Sequence, residues 1–272
     1  MNTSAFSSLI SRTKQTVRMP ALFVGHGSPM NAIEYNEFAR GWKNITEKIP
    51  TPSAILCISA HWETRGTYVT AMEKPRTIHD FYGFPKALFD VEYPAPGSPS
   101  LAQSTIEAIQ SEKVQPDRQW GLDHGCWSIL HHMYPDASAP VVQLSMNQLQ
   151  KPEWHYALAK ELSVLRNKGV LIVGSGNMVH NLGVMNWRSP EQGYDWAIEA
   201  NEHFKHLIVE GNHHQLTAYQ QLGAAVQQSV PTPEHFLPLL YLLGLQEEND
   251  QLQFFNDKTI FGSISMTSVM IG

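Results

Sequence analysis

Four short apolar runs, each followed closely by glycine, serine or histidine, are the feature that most constrains the fold of this chain. They are Ala21–Val24, Ala54–Ile58, Val141–Leu144 and Val170–Val173. Their length and continuous apolar character are typical of strands buried on both faces of a sheet. Helical patterns lie between them, for example Ser98–Ser111 and Pro152–Asn167. This alternation predicts an α/β fold with a mostly parallel or mixed central sheet flanked by helices.

The chain shows no internal repeat and no low-complexity linker, so its 272 residues are expected to form a single domain. We place this catalytic domain at residues 19–272. Met1–Arg18 contains no acidic residue and is rich in serine, threonine and basic residues, which predicts a flexible N-terminal extension. Gly66–Gly97 lacks periodicity and is expected to form a long ordered loop beside a pocket. Thr259–Ile271 alternates enough to predict a final strand.

Composition argues against several classes of partner. A formal net charge of −6 is opposite to what a nucleic-acid-binding surface requires. No apolar run approaches the roughly 20 residues that cross a bilayer. The two cysteines, Cys57 and Cys126, are too few for a disulfide framework. The beginning of the chain also lacks the apolar stretch of a secretory signal. These features together predict a cytoplasmic protein that binds neither nucleic acid nor membranes.

Two histidines directly follow predicted strands. His26 lies in Gly25-His26-Gly27, after the first apolar run, and His61 follows the second. Each could be a turn histidine that only bonds to its neighbours. Because the carboxyl ends of parallel strands meet at one edge of a sheet, however, we expect the two side chains to lie close together.

Three further histidines are candidates for the same site. His180 follows the fourth run and could be a metal ligand, a general base or a helix cap. His235 lies in the polar first turn of a predicted helix, Glu234–Leu243, whose remainder is apolar. His124 heads another predicted helix and is a candidate acid or substrate contact.

Several imidazoles at one sheet edge predict a bound metal ion. Neutral imidazoles suit zinc, iron, copper or nickel, and open coordination positions would make the site catalytic. Most of the other histidines are expected on helix surfaces or in turns, whereas His79 is ambiguous because its loop could line the pocket. The surface set comprises His131, His132, His155, His203, His206, His213 and His214.

Seven segments, in order and across nearly the whole chain, resemble the class III extradiol ring-cleavage dioxygenases. The likeness is greatest to the bacterial and plant 4,5-DOPA dioxygenase branch. The segments are Pro20–Met30 (PALFVGHGSPM), Ser59–Trp62 (SAHW), Thr77–Pro85 (TIHDFYGFP), Tyr93–Pro99 (YPAPGSP), Trp120–Gly125 (WGLDHG), Gly174–Asn181 (GSGNMVHN) and Pro231–Leu240 (PTPEHFLPLL).

The resemblance implies Fe(II) as the working metal, although zinc often occupies such sites in purified bacterial members. His26, His61 and His235 match the metal-binding positions of the family. His180 matches a fourth histidine, described either as the catalytic base or as a metal ligand. His124 matches a pocket histidine thought to assist proton transfer or to bind substrate. The implied reaction opens a DOPA-like catechol with dioxygen to a semialdehyde of muconic type.

One position departs from the wider class. Protocatechuate-cleaving relatives complete a two-histidine site with glutamate, whereas this chain has His235 there and Glu234 beside it. The DOPA dioxygenase branch shares that change. Aromatic residues that could stack on a catechol are Phe81, Tyr82, Phe84, Trp127 and Tyr241, although core packing would explain them equally well.

Two other functions remain open on the same histidines. A zinc hydrolase would use the metal to activate water instead of dioxygen. A non-catalytic zinc-binding protein on this fold would instead enclose the ion in four histidines, with no displaceable water.

Overall fold

Strands and helices alternate along most of the chain. The computed structural model describes residues 17–272, so all but the last two residues of the predicted N-terminal extension lie outside the described part. The strands are β1 Ala21–Gly25, β2 Ala54–Ser59, β3 Glu63–Thr64, β4 Thr67–Thr70, β5 Val114–Asp117, β6 Val141–Gln143, β7 Met146–Asn147, β8 Val170–Gly176, β9 Leu252–Phe255, β10 Thr259–Ile260, β11 Ile264–Ser265 and β12 Ser268–Ile271. The helices are α1 Glu37–Thr46, α2 Lys86–Phe89, α3 Pro99–Ala108, α4 His124–Met133, α5 Pro152–Glu161, α6 Ser163–Arg166, α7 Asp195–Val209, α8 His213–Thr217, α9 Ala224–Ser229 and α10 Leu237–Gly244.

The central sheet has six strands in the order β6-β2-β8-β1-β12-β9. The first four run parallel, because β8 pairs in parallel with both β1 and β2, and β2 pairs in parallel with β6. β12 is antiparallel to both of its neighbours. The predicted class, a single α/β domain with a mostly parallel or mixed sheet flanked by helices, is confirmed.

Each face of the sheet carries its own hydrophobic core. Successive side chains of a strand point to opposite faces, so Phe23 of β1 packs in one core and Leu22 in the other. The first core contains the apolar side chains of α5, α7 and α10, and the second contains those of α1 and α4. Burial of β1, β2, β6 and β8 on both faces explains why their sequences read as continuous apolar runs.

The parallel strands place their carboxyl ends at one edge of the sheet. β8 lies between β1 and β2, and Ser175 near its end is paired with both Val24 and Ser59. The chain segments that leave β1, β2 and β8 therefore start side by side. This shared edge carries His26, His61 and the approach to His180.

Two expectations about the fold require correction. The predicted final strand is divided into β10, β11 and β12, and only β12 enters the central sheet. His155 is fully buried in α5 and bonds through Nδ1 to the Tyr241 hydroxyl at 3.0 Å, so it is not on the surface. Tyr241 is likewise fully buried, in the core between α5 and α10, so of its two interpretations core packing is the one that the structure supports. Gly66–Gly97 is mostly irregular, as predicted, apart from β4 and α2.

The first described residues are attached to the segment between α10 and β9 and to α6. Arg18 forms an ion pair with Asp250, and the Met19 carbonyl accepts a hydrogen bond from the buried Arg166 side chain at 2.8 Å. None of the helices within residues 17–272 is both long enough and apolar enough to span a membrane.

Candidate metal centre

His26 directly follows β1, and its ring is held by a serine on the neighbouring strand. The Ser175 hydroxyl lies 3.0 Å from His26 Nδ1 and donates its only hydrogen to the Gly125 carbonyl at 2.5 Å. The serine oxygen can therefore only accept a hydrogen bond from the imidazole. This fixes the Nδ1–H tautomer of His26 and leaves the Nε2 lone pair free.

His61 approaches the free side of His26. The Nε2 atoms of the two rings are 3.2 Å apart. Two imidazole nitrogens that bind one zinc ion at about 2.1 Å in tetrahedral geometry would be about 3.4 Å apart. The spacing therefore fits two ligands of one metal ion. The Nδ1 atom of His61 faces Asp80, whose Oδ2 atom lies 3.6 Å away.

His235 reaches the same place from a different part of the chain. It lies in a turn before α10, not inside the helix as the sequence predicted. Its carbonyl accepts a hydrogen bond from the Asn177 amide at 2.9 Å, just past the end of β8. Gly176 permits this approach, because a Cβ there would lie 2.1 Å from the His235 carbonyl oxygen.

The neighbouring carboxylate orients the His235 ring without sharing its metal-facing side. Glu234 Oε1 lies 3.2 Å from His235 Nδ1. A carboxylate accepts and does not donate, so this contact favours Nδ1–H and a free Nε2. One ligand atom from each of His26, His61 and His235 lies within 4.8 Å of the others, so the three could hold one metal ion.

The site keeps its imidazoles neutral. Burial, with a smaller effect from neighbouring histidines, lowers the pKa values of His26 and His235 well below the usual value. The same causes, led by burial, lower the pKa of His61 to about 3. A neutral imidazole has the lone pair that a metal requires, so the rings are ready to bind at neutral pH.

His180 lies beside this group and not within it. Its ring stacks on His235 with centroids 3.5 Å apart and planes 10° apart. It could join a second metal-binding group with His235 and Glu234. Its backbone amide donates to the Ser229 carbonyl at 2.9 Å, which fixes where the side chain starts. Burial lowers the pKa of His180 to about 4.

His124 is the first residue of α4, as predicted, and α4 is anchored beneath the site. Asp123 caps the helix by accepting the Cys126 amide and is fully buried. The same carboxylate accepts the Ser59 hydroxyl at 2.6 Å and the Gln143 amide at 2.7 Å. These bonds join α4 to the ends of β2 and β6, and they bring the His124 ring to 3.8 Å from the His61 ring.

This group of histidines lies in a chain that matches a known enzyme family over nearly its whole length. The sequence profile of the catalytic LigB subunit of aromatic ring-opening dioxygenases matches residues 20–271. The chain belongs to this family. It is an extradiol aromatic ring-opening dioxygenase of the 4,5-DOPA dioxygenase type.

Relatives of this LigB-family dioxygenase support the assignment over the full domain. The 4,5-DOPA dioxygenase extradiol of Escherichia coli K12 is 47% identical over 94% of this chain and 96% of its own length. The 4,5-DOPA dioxygenase extradiol of Beta vulgaris is 35% identical over 90% of this chain and 94% of its own. The crystal structure of an uncharacterized protein from E. coli K12 superposes with a TM-score of 0.81 at 41% identity, covering 94% of this chain and all of that one.

LigB-family extradiol dioxygenases use a metal, and the three converging histidines of this member fit one. Sequence reasoning did not find two polar residues that orient the imidazoles, Ser175 and Asp80. Ser175 lies at the end of a buried strand, where its role depends on the pairing of β8 with β1. Asp80 lies in the irregular segment after β4, next to the ambiguous His79. His79 itself is bonded through Nε2 to the Val91 carbonyl at 2.9 Å.

Proposed function

We propose that this dioxygenase opens the ring of a catechol with a DOPA-like side chain, and that Fe(II) held by His26, His61 and His235 is its working metal. The product would be a semialdehyde of muconic type. The observation that supports this is the convergence of three neutral imidazoles, two of them with neighbours that leave Nε2 free. Zinc fits the same donors and would be a frequent occupant of purified protein.

Bound iron would supply the redox chemistry between the aromatic ring and dioxygen, and the protein would supply position and protons. Three neutral ligands leave the ion with its full charge, so a doubly charged catecholate would complete the charge balance. His180, stacked on His235 and only partly buried, is proposed as the base that accepts a phenolic proton. His124, on the opposite side near His61, is the second proton-transfer candidate.

Aromatic side chains lie on one side of His124. The Phe81 ring lies 5.6 Å from the His124 ring and 6.3 Å from the Trp127 ring. Trp127 is fully buried and donates its indole N–H to the Ile78 carbonyl at 2.8 Å. Phe81, which is only partly buried, is therefore the better placed of the two to contact an aromatic substrate.

A panel of catechols tests the proposal. Protein loaded anaerobically with Fe(II) and then mixed with DOPA, other catechols and air is expected to consume one dioxygen per ring and to form a yellow product. Oxygen uptake and absorbance spectra measure both. Zinc-loaded protein is the matched control and is expected to be inactive. The zinc hydrolase would be favoured instead by two results together. The iron-loaded protein would consume oxygen with none of the catechols, and the zinc-loaded protein would hydrolyse an ester or an amide.

Replacement of His180 tests whether this residue acts as a base or as a metal ligand. We expect His180→Gln to keep about one metal ion per chain, because the three converging histidines remain, while kcat falls about 100-fold or more. Metal analysis and steady-state kinetics on the iron-loaded variant measure the two effects. Loss of the metal with His180 would show that this residue is a ligand.

A further inference from the structure

Both carboxylate oxygens of Asp80 face residues of the candidate metal centre. Oδ1 accepts the backbone N–H of His124 at 2.8 Å. Oδ2 lies 2.9 Å from His124 Nδ1 and 3.6 Å from His61 Nδ1. The Asp80 side chain is 19% exposed. One carboxylate thus faces a candidate metal ligand and a candidate proton-transfer residue at once.

We propose that Asp80 is a positioning residue that fixes His124 as the Nδ1–H tautomer, so that His124 presents an unprotonated Nε2 to a substrate hydroxyl. A carboxylate can only accept, so the short contact to Nδ1 requires the hydrogen to be on that nitrogen. The 2.8 Å bond to the His124 backbone fixes where the carboxylate sits relative to the ring. The same oxygen lies 3.6 Å from Nδ1 of His61, which is too far for a hydrogen bond, so Asp80 does not fix the tautomer of that ring.

A purely structural role would not need this arrangement. Capping of α4 is already provided by Asp123, whose carboxylate accepts the Cys126 amide. Within residues 17–272, the second oxygen of Asp80 contacts imidazole nitrogens and no other polar group. A neutral histidine in water prefers the Nε2–H form, so the opposite tautomer at His124 must be imposed by its surroundings.

The functional consequence concerns how a substrate is held. With Nε2 unprotonated, His124 can accept a hydrogen bond from a catechol hydroxyl but cannot donate one. The His124 ring would therefore orient the catechol by accepting the hydrogen of this hydroxyl, on the His61 side of the site. This step rests on the proposed function, because it takes the bound hydroxyl to be that of a catechol.

Asp80→Asn is expected to invert the tautomer. The backbone N–H of His124 still requires an acceptor, so the amide oxygen takes the place of Oδ1 and the amide NH₂ takes the place of Oδ2. The NH₂ group then donates to Nδ1, and the hydrogen of His124 moves to Nε2. Nitrogen-15 NMR of histidine-labelled, zinc-loaded protein measures this directly, with His124 assigned from the signals lost in His124→Gln.

The matched control is Glu210→Gln, which makes the same carboxylate-to-amide change beside another histidine. Glu210 Oε1 lies 3.3 Å from His206 Nε2 on the exposed side of α7. We expect the control to leave the His124 tautomer and turnover unchanged. Asp80→Asn is expected to lower kcat about 10- to 100-fold while zinc and iron stoichiometries remain near those of the wild type.

The wild-type spectrum decides the proposal even if Asp80→Asn does not fold. His124 protonated at Nε2 in the wild type, or an unchanged tautomer in the folded variant, would overturn it. The two proposals fail separately. If the iron-loaded wild type cleaves no catechol, the proposed reaction is wrong, whereas the spectra of the zinc-loaded protein still establish or refute the role of Asp80.

Discussion

Replacing His26 or His61 with alanine is expected to reduce bound metal from about one ion per chain to near zero and to abolish ring cleavage. Each residue contributes one of three converging donors, and their Nε2 atoms are 3.2 Å apart. Two imidazoles and water hold a divalent ion far more weakly than three imidazoles do. We therefore expect turnover to fall by more than about 100-fold, which exceeds the usual effect of removing an orienting partner.

Elemental analysis after dialysis against dilute zinc or iron measures the stoichiometry, and oxygen uptake with a catechol measures turnover. His214→Ala is the matched control, since His214 is an exposed histidine on α8. It should bind metal and turn over substrate as the wild type does. An unchanged metal content in both site variants would contradict the assignment of His26 and His61 as ligands.

The strands and two of the histidines were predictable from short-range pattern alone. A strand buried on both faces has to be apolar throughout, so β1, β2, β6 and β8 are visible as runs in the sequence. Parallel pairing then brings together whatever follows each run. That is why the closeness of His26 to His61 can be predicted from the sequence without any knowledge of their contacts.

Residues placed by tertiary contact were harder to predict. His235 was assigned to a helix, but the backbone turns first at Pro233, whose carbonyl accepts the Phe236 and Leu237 amides. Asp80 lies in a segment with no periodicity, so no pattern indicates which way its carboxylate points. Nothing local distinguishes Asp80 from Asp90, which forms an exposed ion pair with Lys86.

His155 is a different case, because a signal was present. Leu158 and Ala159 follow it by three and four residues, and all three positions lie on the buried face of α5. The residue type suggested a surface, whereas the spacing indicated the core. The Tyr241 hydroxyl resolves the conflict by giving the buried imidazole a hydrogen-bond partner at 3.0 Å.

Replacing Asp250 with alanine is expected to destabilise the fold by about 3–5 kcal/mol. Arg166 is fully buried, and its guanidinium bonds to the carbonyls of Met19 and Leu245 and to Asp250 Oδ2 at 2.7 Å. Those carbonyls are dipoles and cannot neutralise the charge. Without Asp250 the cation would remain buried and uncompensated, between the residues before β1 and the segment between α10 and β9.

The effect has a defined pH dependence. Burial by itself would raise the pKa of Asp250, but hydrogen bonds from Arg18 and Arg166 hold it well below its usual range. The contribution is therefore fully present above the pKa of the unfolded chain, about 4. It is lost as pH falls toward the lower pKa of the folded state. The stability difference between wild type and Asp250→Ala should be constant from pH 5 to pH 7 and shrink below about pH 4.

Urea unfolding of both metal-free proteins across this pH range measures the difference and cancels the contribution of the buried histidines, which both proteins share. Asp90→Ala is the matched control, because Asp90 pairs with Lys86 on the surface. Its loss should cost less than about 1 kcal/mol. A similar small cost for Asp250→Ala would show that Arg166 does not depend on its carboxylate. A difference that grows as the pH falls would show that the pKa of Asp250 is shifted in the opposite direction.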